Sequence, residues 1–201
     1  MLPLYKLPFE PDFAKLRAMP YTSFKSDWFG HVPQNAPSFL LACTPTRLLF
    51  AGKRKAPPNC DRHQINAFVQ ELWKKDVIEL FLCSDSNSDY QEFNLSPCGA
   101  WWSHGFSAPR VPRAHFQRPK GVVCDALCTP ESWDVACSIP LAELQITFLL
   151  SAASRANICS IIGETQQRFF SWAKLGGSRP DFHLPAKFET LEIKSDGADG
   201  G

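Results

Sequence analysis

Trp73-Lys74-Lys75-Asp76-Val77-Ile78-Glu79-Leu80-Phe81-Leu82 alternates with the period of a β-strand. Val77, Glu79 and Phe81 fall on one face, and Ile78, Leu80 and Leu82 on the other. The second set is wholly aliphatic, which assigns that face to the core. Glu79 then lies on the opposite face, with Trp73 and Asp76 at the entrance of the strand. A carboxylate and an indole at the mouth of a sheet suit a polyhydroxylated ring, whose hydroxyls bond to the first and whose C–H faces pack on the second. A carbohydrate is the first ligand this stretch suggests.

Outward from it, 17 prolines and 11 glycines cut the chain into pieces of strand length. Strands are predicted over residues 38–43 and 47–51, around the turn Thr44-Pro45-Thr46, and over 77–83 and 89–96. Another follows the turn Pro97-Cys98-Gly99 over 100–107, and later ones span 121–127, 133–139, 157–163, 166–172 and 187–193. Helix is expected at 64–73, where Ile65, Phe68, Val69 and Leu72 recur at helical spacing, and for one turn at 140–144, opened by Pro140. The fold class is all-β, an antiparallel sandwich of jelly-roll character with one or two short helices, in a single domain over residues 1–194. The run from Arg110 to Lys120, with His115 and Phe116 among its basic residues, reads as a surface loop. Residues 195–201 are expected to be a disordered tail.

At 201 residues with 44% hydrophobic content, one core is expected. A net charge of +1 gives no field for polyanions, so a nucleic-acid partner is not expected. The first residues show no basic region followed by an apolar run. No segment approaches the roughly 18 apolar residues of a membrane span, so neither a membrane partner nor export is expected, and a cytoplasmic location follows. Eight cysteines are then expected to be reduced, with Cys43, Cys83, Cys137 and Cys159 as small core residues. Cys124 and Cys128 have no second pair with which to complete a zinc site. Asp85, Asn87 and Asp89 have the spacing of a calcium loop, but the glycine is missing and Ser96 stands where a bidentate Glu belongs. No cofactor is expected, calcium being the one ion this spacing admits.

Pairing 77–83 with 89–96 sets Tyr90, Glu92 and Asn94 on the face of Glu79. The plainest reading of such a face is an outer sheet surface in water. In 166–172, Gln166, Arg168, Phe170 and Trp172 share a face. If Trp73 and Trp172 lie at the same end of the sandwich, they form two walls of a slot for a pyranose ring, with Glu79 and Arg168 inside it and Asn94 as a further contact. Trp101, Trp102 and Trp133 read as core or rim, and the five histidines show no ligand spacing. The chain has no Gly-x-Ser-x-Gly elbow, no phosphate-cradling glycine loop and no His-Glu-x-x-His. Glu79 and Glu92 are the two carboxylates a glycoside hydrolase would need, but ligand contact is the commoner use of such a pair.

Several motifs together resemble family 9 carbohydrate-binding modules and their DOMON-type relatives. These are Trp73-x-x-Asp76-x-x-Glu79-Leu80-Phe81, Tyr90-x-x-Phe93-x-x-Ser96-Pro97-x-Gly99, Trp133-x-Val135-x-x-x-Ile139-Pro140-Leu141, Ser171-Trp172, and Asp181-Phe182-His183-x-Pro185-x-x-Phe188-x-x-Leu191. The likeness spans residues 38–193. It implies a jelly-roll β-sandwich that binds a saccharide without catalysis, two tryptophans clamping the terminal ring while charged and amide side chains bind its hydroxyls. Trp73 and Glu79 match the first tryptophan and the acidic contact, and Trp172 matches the second by its place in the late strand. Some members hold calcium. Some DOMON relatives bind haem through Met and His, but Met1 and Met19, the only methionines, precede the matched region. Sugar-binding members are usually secreted appendages of glycoside hydrolases. An unexported chain rich in cysteine departs from that pattern, so the alternative is an intracellular protein-interaction or scaffold module that has kept the sandwich and lost the sugar.

Overall fold

The turn Thr44-Pro45-Thr46 closes a hairpin of β3 (Ser38–Cys43) and β4 (Arg47–Arg54), as its sequence predicts. Thr44 Oγ1 accepts from the amides of Thr46 and Arg47 at 3.3 and 3.0 Å, so the threonine side chain completes the turn. The segment read first is β5 (Val77–Cys83), paired antiparallel with β6 (Tyr90–Leu95), which pairs in turn with β7 (Trp101–Ala108). Gly99, at φ +85°, supplies the left-handed residue of the turn between β6 and β7.

The structure is a computed structural model that describes residues 1–163 and 165–195. Its remaining strands are β1 (Leu2–Lys6), β2 (Thr22–Ser23), β8 (Val111–Pro112), β9 (Val123–Cys128), β10 (Trp133–Pro140), β11 (Arg155–Ile162), β12 (Arg168–Ser171) and β13 (Glu189–Ser195). One curled sheet runs β8-β7-β6-β5-β11-β13-β1-β3-β4-β10-β9, with β12 on β11 and β2 on β3. Most pairings are antiparallel; β1 joins the two limbs by pairing in parallel with both β13 and β3. The limbs face one another as a β-sandwich. Between them lies the main core, which includes Ile78, Leu80 and Leu82 of β5, Phe93 of β6, Phe39 and Leu41 of β3, Phe50 of β4, and Trp133 and Val135 of β10. Cys43, Cys83, Cys137 and Cys159 are buried thiols, as expected of small core residues.

Both limbs are also covered on the outside. The short helix α1 (Phe13–Ala18), whose first turn is capped by Asp12 Oδ1 accepting from Lys15 N at 2.7 Å, lays Leu16 over Leu40, Ala42, Leu49 and Ala51. On the other limb, Val77, Phe81, Tyr90, Trp102 and Cys159 meet Leu175, Phe182 and Phe188 from the chain after β12. The face of Glu79 is therefore covered, and not the water-facing surface that alternation alone suggests.

Two local expectations are corrected, for residues 64–73 and for the cysteines. Residues 64–73 form no α-helix: Asn66 and Glu71 take φ of 68° and 61°, and Ala67 and Val69 exchange backbone hydrogen bonds with Trp101, each at 2.9 Å. Their apolar side chains pack as an extended segment that ends in a 3-10 turn at Leu72–Lys74. The single turn expected after Pro140 is present as a 3-10 turn, Leu141–Glu143. The cysteines are not all free. Asn66 N bonds to Gly99 O at 2.9 Å, which draws the loop before β5 along the β6–β7 turn, and there Cys60 and Cys98 form a disulfide. Cys124 faces the core and Cys128 is exposed, with no third ligand beside them among the described residues. Asp85 spends one carboxylate oxygen on Leu149 N and Ser154 Oγ at 2.6 and 2.7 Å, as a loop anchor does. Of the expected tail, Ser195 ends β13, and residues 196–201 lie outside the described residues.

Two contacts fix β5 in place. Gly52 faces the core opposite Ile78, and a Cβ there would lie 2.6 Å from Ile78 Cδ1. Asp76, 1% exposed, accepts from Asn59 N at 3.2 Å and Gly163 N at 2.7 Å. Gly52→Val is expected to lower stability by about 2 kcal/mol through overpacking. Asp76→Ala, by orphaning two amides, is expected to cost about 2–3 kcal/mol. Urea unfolding midpoints check both.

Candidate functional site

Register across β5, β6 and β7 brings the polar residues together. Glu79 lies opposite Asn94, which lies opposite Trp102, while Glu92 lies opposite Phe81 and His104. Because side chains alternate along each strand, Glu79, Glu92, Asn94 and Trp102 all emerge on the outer face of this limb. β11 adds Cys159 opposite Glu79 and Ile161 opposite Val77. Asn157, also on that face, accepts from Ala173 N through Oδ1 at 2.9 Å and donates to Ser171 Oγ at 2.9 Å, which anchors the start of the covering segment.

Between sheet and cover lies a cavity of about 440 Å³, within the usual range for small-molecule sites. Glu79 and Glu92 reach it from β5 and β6, Trp102 and Phe106 from β7, and Trp73 from the 3-10 turn before β5. Phe169 comes from β12, and Pro180, Phe182 and His183 from the cover. Trp73 and Trp102 meet edge to face with ring centres 5.8 Å apart, Trp73 being 37% exposed and Trp102 8%. Gln167 donates to Trp73 O at 2.8 Å, holding the turn that carries the more exposed indole.

The electrostatics follow from burial. Glu79 and Glu92 are 3% and 4% exposed. Burial pushes the Glu79 carboxyl well above the usual carboxylate range, and the neighbouring Glu92 pushes it further. Burial also raises Glu92, against the opposing pull of its hydrogen bond from Asn94 Nδ2 at 2.9 Å and of the Arg110 charge. His183 is pushed down to about 4, mainly by burial and also by Arg110, so it is neutral at pH 7. Tyr90 Oη accepts from Arg110 N at 3.1 Å and lies 2.8 Å from His183 Nδ1. With Tyr90 donating to Nδ1, the imidazole proton sits on Nε2, 3.9 Å from Glu92 Oε2. Arg110 itself bonds Asp181 at 2.8 Å at the rim.

Of the residues singled out by sequence, Trp73 and Glu79 line the cavity, and Asn94 is buried beneath it, bonded to Glu92. Trp172 and Arg168 are elsewhere, which corrects the expected clamp. The reason is parity: Ser171 is in register with Cys159, and Cys159 with Glu79, so odd positions of β12 share the face of Glu79. Phe169 therefore reaches the cavity, while Phe170 and Trp172 turn toward the sandwich interior. Trp172 packs edge-on against Phe39 at 5.4 Å and donates to Met1 O at 2.9 Å; Arg168 pairs with Asp27 at 2.8 Å. The second indole of the cavity is Trp102. Counting across the turn at Pro97-Cys98-Gly99 pairs it with Asn94, a signal present in the sequence. His183, Phe182 and Arg110 carried no such signal, since they arrive on loops.

Neither a family model nor a curated protein matches this sequence. Among solved structures, a provisionally assigned carbohydrate-binding protein from Bacteroides uniformis aligns with a TM-score of 0.73 at 18% identity, covering 96% of this chain and 98% of that one. A family 9 carbohydrate-binding module from Caldicellulosiruptor kristjanssonii, in complex with glucose, aligns at 0.61 and 10% identity over 99% of each chain. The cellotriose complex of a family 9 module from the same organism aligns at 0.61 and 11%, over 99% of this chain and 97% of that one. At such identities the likeness establishes architecture: this chain has the β-sandwich fold of the family 9 carbohydrate-binding modules.

Proposed function

We propose that this protein is a non-catalytic carbohydrate-binding module whose ligand enters the cavity on the outer face of the β5–β6–β7 limb. The observation that carries the reading is the convergence of two indoles and two buried carboxylates on one cavity of about 440 Å³. Trp73 and Trp102 offer apolar faces to the C–H side of a sugar ring, and Glu79 and Glu92 offer hydrogen-bonding groups to its hydroxyls. Phe169 and Phe182, with ring centres 6.2 Å apart, add further aromatic lining. Solved proteins of the same fold hold glucose and cellotriose, which supports a saccharide as the class of ligand.

A non-catalytic role is favoured by where the carboxylates stand. Glu79 and Glu92 rise from neighbouring strands of one sheet face as a diagonal pair. Glycoside hydrolysis needs an acid and a base or nucleophile flanking the scissile bond. A small hydrophilic ligand on such a floor makes few contacts, so dissociation constants on the order of micromolar to millimolar are expected.

Titration with glucose, cellobiose and xylose, followed by tryptophan fluorescence and amide NMR shifts, tests the reading. Trp73→Ala and Trp102→Ala are each expected to weaken binding at least about tenfold, whereas Trp172→Phe is expected to leave it within about twofold. The carbohydrate reading is falsified if none of these sugars perturbs either signal at concentrations far above the expected range. Aryl glycosides are expected to show no turnover above background; hydrolysis abolished by Glu79→Gln would make the protein an enzyme instead.

A further inference from the structure

The floor of the cavity holds more hydrogen-bond acceptors than the protein satisfies. Glu79 lines the cavity, is 3% exposed, and has no hydrogen-bond partner among the described residues. Glu92, 4% exposed, receives one hydrogen bond, from Asn94. Asn94 Oδ1 is buried with no partner among the described residues. Among the described residues no donor other than Asn94 reaches either carboxyl: Arg110, which also lines the cavity, gives Nη2 to Asp181, His183 Nε2 stands 3.9 Å from Glu92, and the indole N–H groups of Trp73 and Trp102 bond to neither carboxyl. Around this floor stand the rings of Trp73, Trp102, Phe106, Phe169 and Phe182.

Acceptors without donors, ringed by aromatic faces, are complementary to a group that only donates and carries positive charge. A hydroxyl brings one donor and also lone pairs that need donors of their own, whereas an ammonium brings three donors and none. Its charge is attracted both by the carboxylates and by the negative faces of the rings. We propose that the saccharide selected by this cavity is an amino sugar, its protonated amine seated between Glu79 and Glu92. The proposal rests on the carbohydrate reading of the same cavity and narrows its ligand.

Protonation gives the proposal a pH signature. The groups facing the carboxylate pair are Cys159 on β11, Asn94 and Tyr90 on β6, His104 on β7, His183 on the cover and Arg110 at the rim. Burial raises Glu92 to about 7, so this carboxyl loses its proton as pH climbs toward neutrality, Glu79 being likewise held well above the usual carboxylate range. Ammonium binding then strengthens from pH 5 to pH 7, a window in which His183, pushed down to about 4, stays neutral and contributes no change.

The test is calorimetric titration of the full chain with glucosamine, glucose and N-acetylglucosamine at pH 5, 6 and 7. Glucosamine is expected to bind at least about tenfold tighter than glucose at pH 7, with the advantage shrinking toward pH 5 and absent for the neutral N-acetyl compound. In Glu92→Gln the ratio of the two affinities is expected to fall to within about twofold; an unchanged ratio there overturns the proposal. Glucose bound as tightly as glucosamine by the unmodified protein also overturns it while leaving the carbohydrate reading intact, and this arm does not depend on the variant folding. Failure of all three sugars to bind overturns the carbohydrate reading and this proposal with it.

Discussion

β5 is buried on both faces, and the double burial propagates through the molecule. Ile78, Leu80 and Leu82 fill the space between the limbs, so Val77, Glu79 and Phe81 must emerge on the outside. An outer sheet face carrying Val77, Phe81 and Tyr90 loses free energy in water at about 25 cal/mol per Å² of apolar area, and the chain after β12 folds back to cover it. Covering it also takes Glu79 and Glu92 out of water. A cavity bounded by carboxylates and rings is thus a by-product of closing a greasy surface over two acidic positions.

Burying two neighbouring carboxylates is costly, and the structure shows how the cost is limited. The pair relaxes toward protonation, Asn94 donates to one member, and Arg110 stands at the rim without entering a direct ion pair with either. A lysine or arginine in direct contact would have neutralised the floor and occupied the space. Leaving the floor uncompensated trades stability for a polar surface that something from outside can complete, as functional sites commonly do.

Alternation made the sheet legible. Ser38–Cys43 and Val77–Cys83 are strands with the bounds that pattern gave them, and the other predicted strands differ by one to a few residues at their ends. What alternation does not carry is which face of a separate strand looks where. β12 reads as two-faced from its pattern, but which of its faces carries the cavity residue depends on its register with β11, a long-range pairing invisible in the local pattern. For β7 the register was readable, because a short turn ties Trp102 to Asn94; reading the tandem indoles as core or rim obscured that one of them faces outward. Residues 64–73 mimic a helix in their spacing because the same spacing of apolar groups also occurs in an extended segment packed edge-on against a sheet. β1 and α1 lacked periodic signal altogether: β1 is held by parallel partners at both edges, and α1 is only six residues long. The Cys60–Cys98 bond likewise depends on where a loop lies, which spacing does not encode.

The cavity is assembled from parts with different obligations. Its floor belongs to β5, β6 and β7, whose opposite faces hold the main core, so a change there is paid for in the stability of the whole sandwich. Its roof, Pro180, Phe182 and His183, belongs to a covering loop held by Asn157 at Ala173, Arg110 at Asp181, Tyr90 at His183 and by aromatic contacts. Substitutions in the roof alter the shape of the opening while the sheet beneath stays folded. Descendants of such a protein are free to explore new ligands from above, one loop residue at a time, while the acidic floor stays as a fixed inheritance.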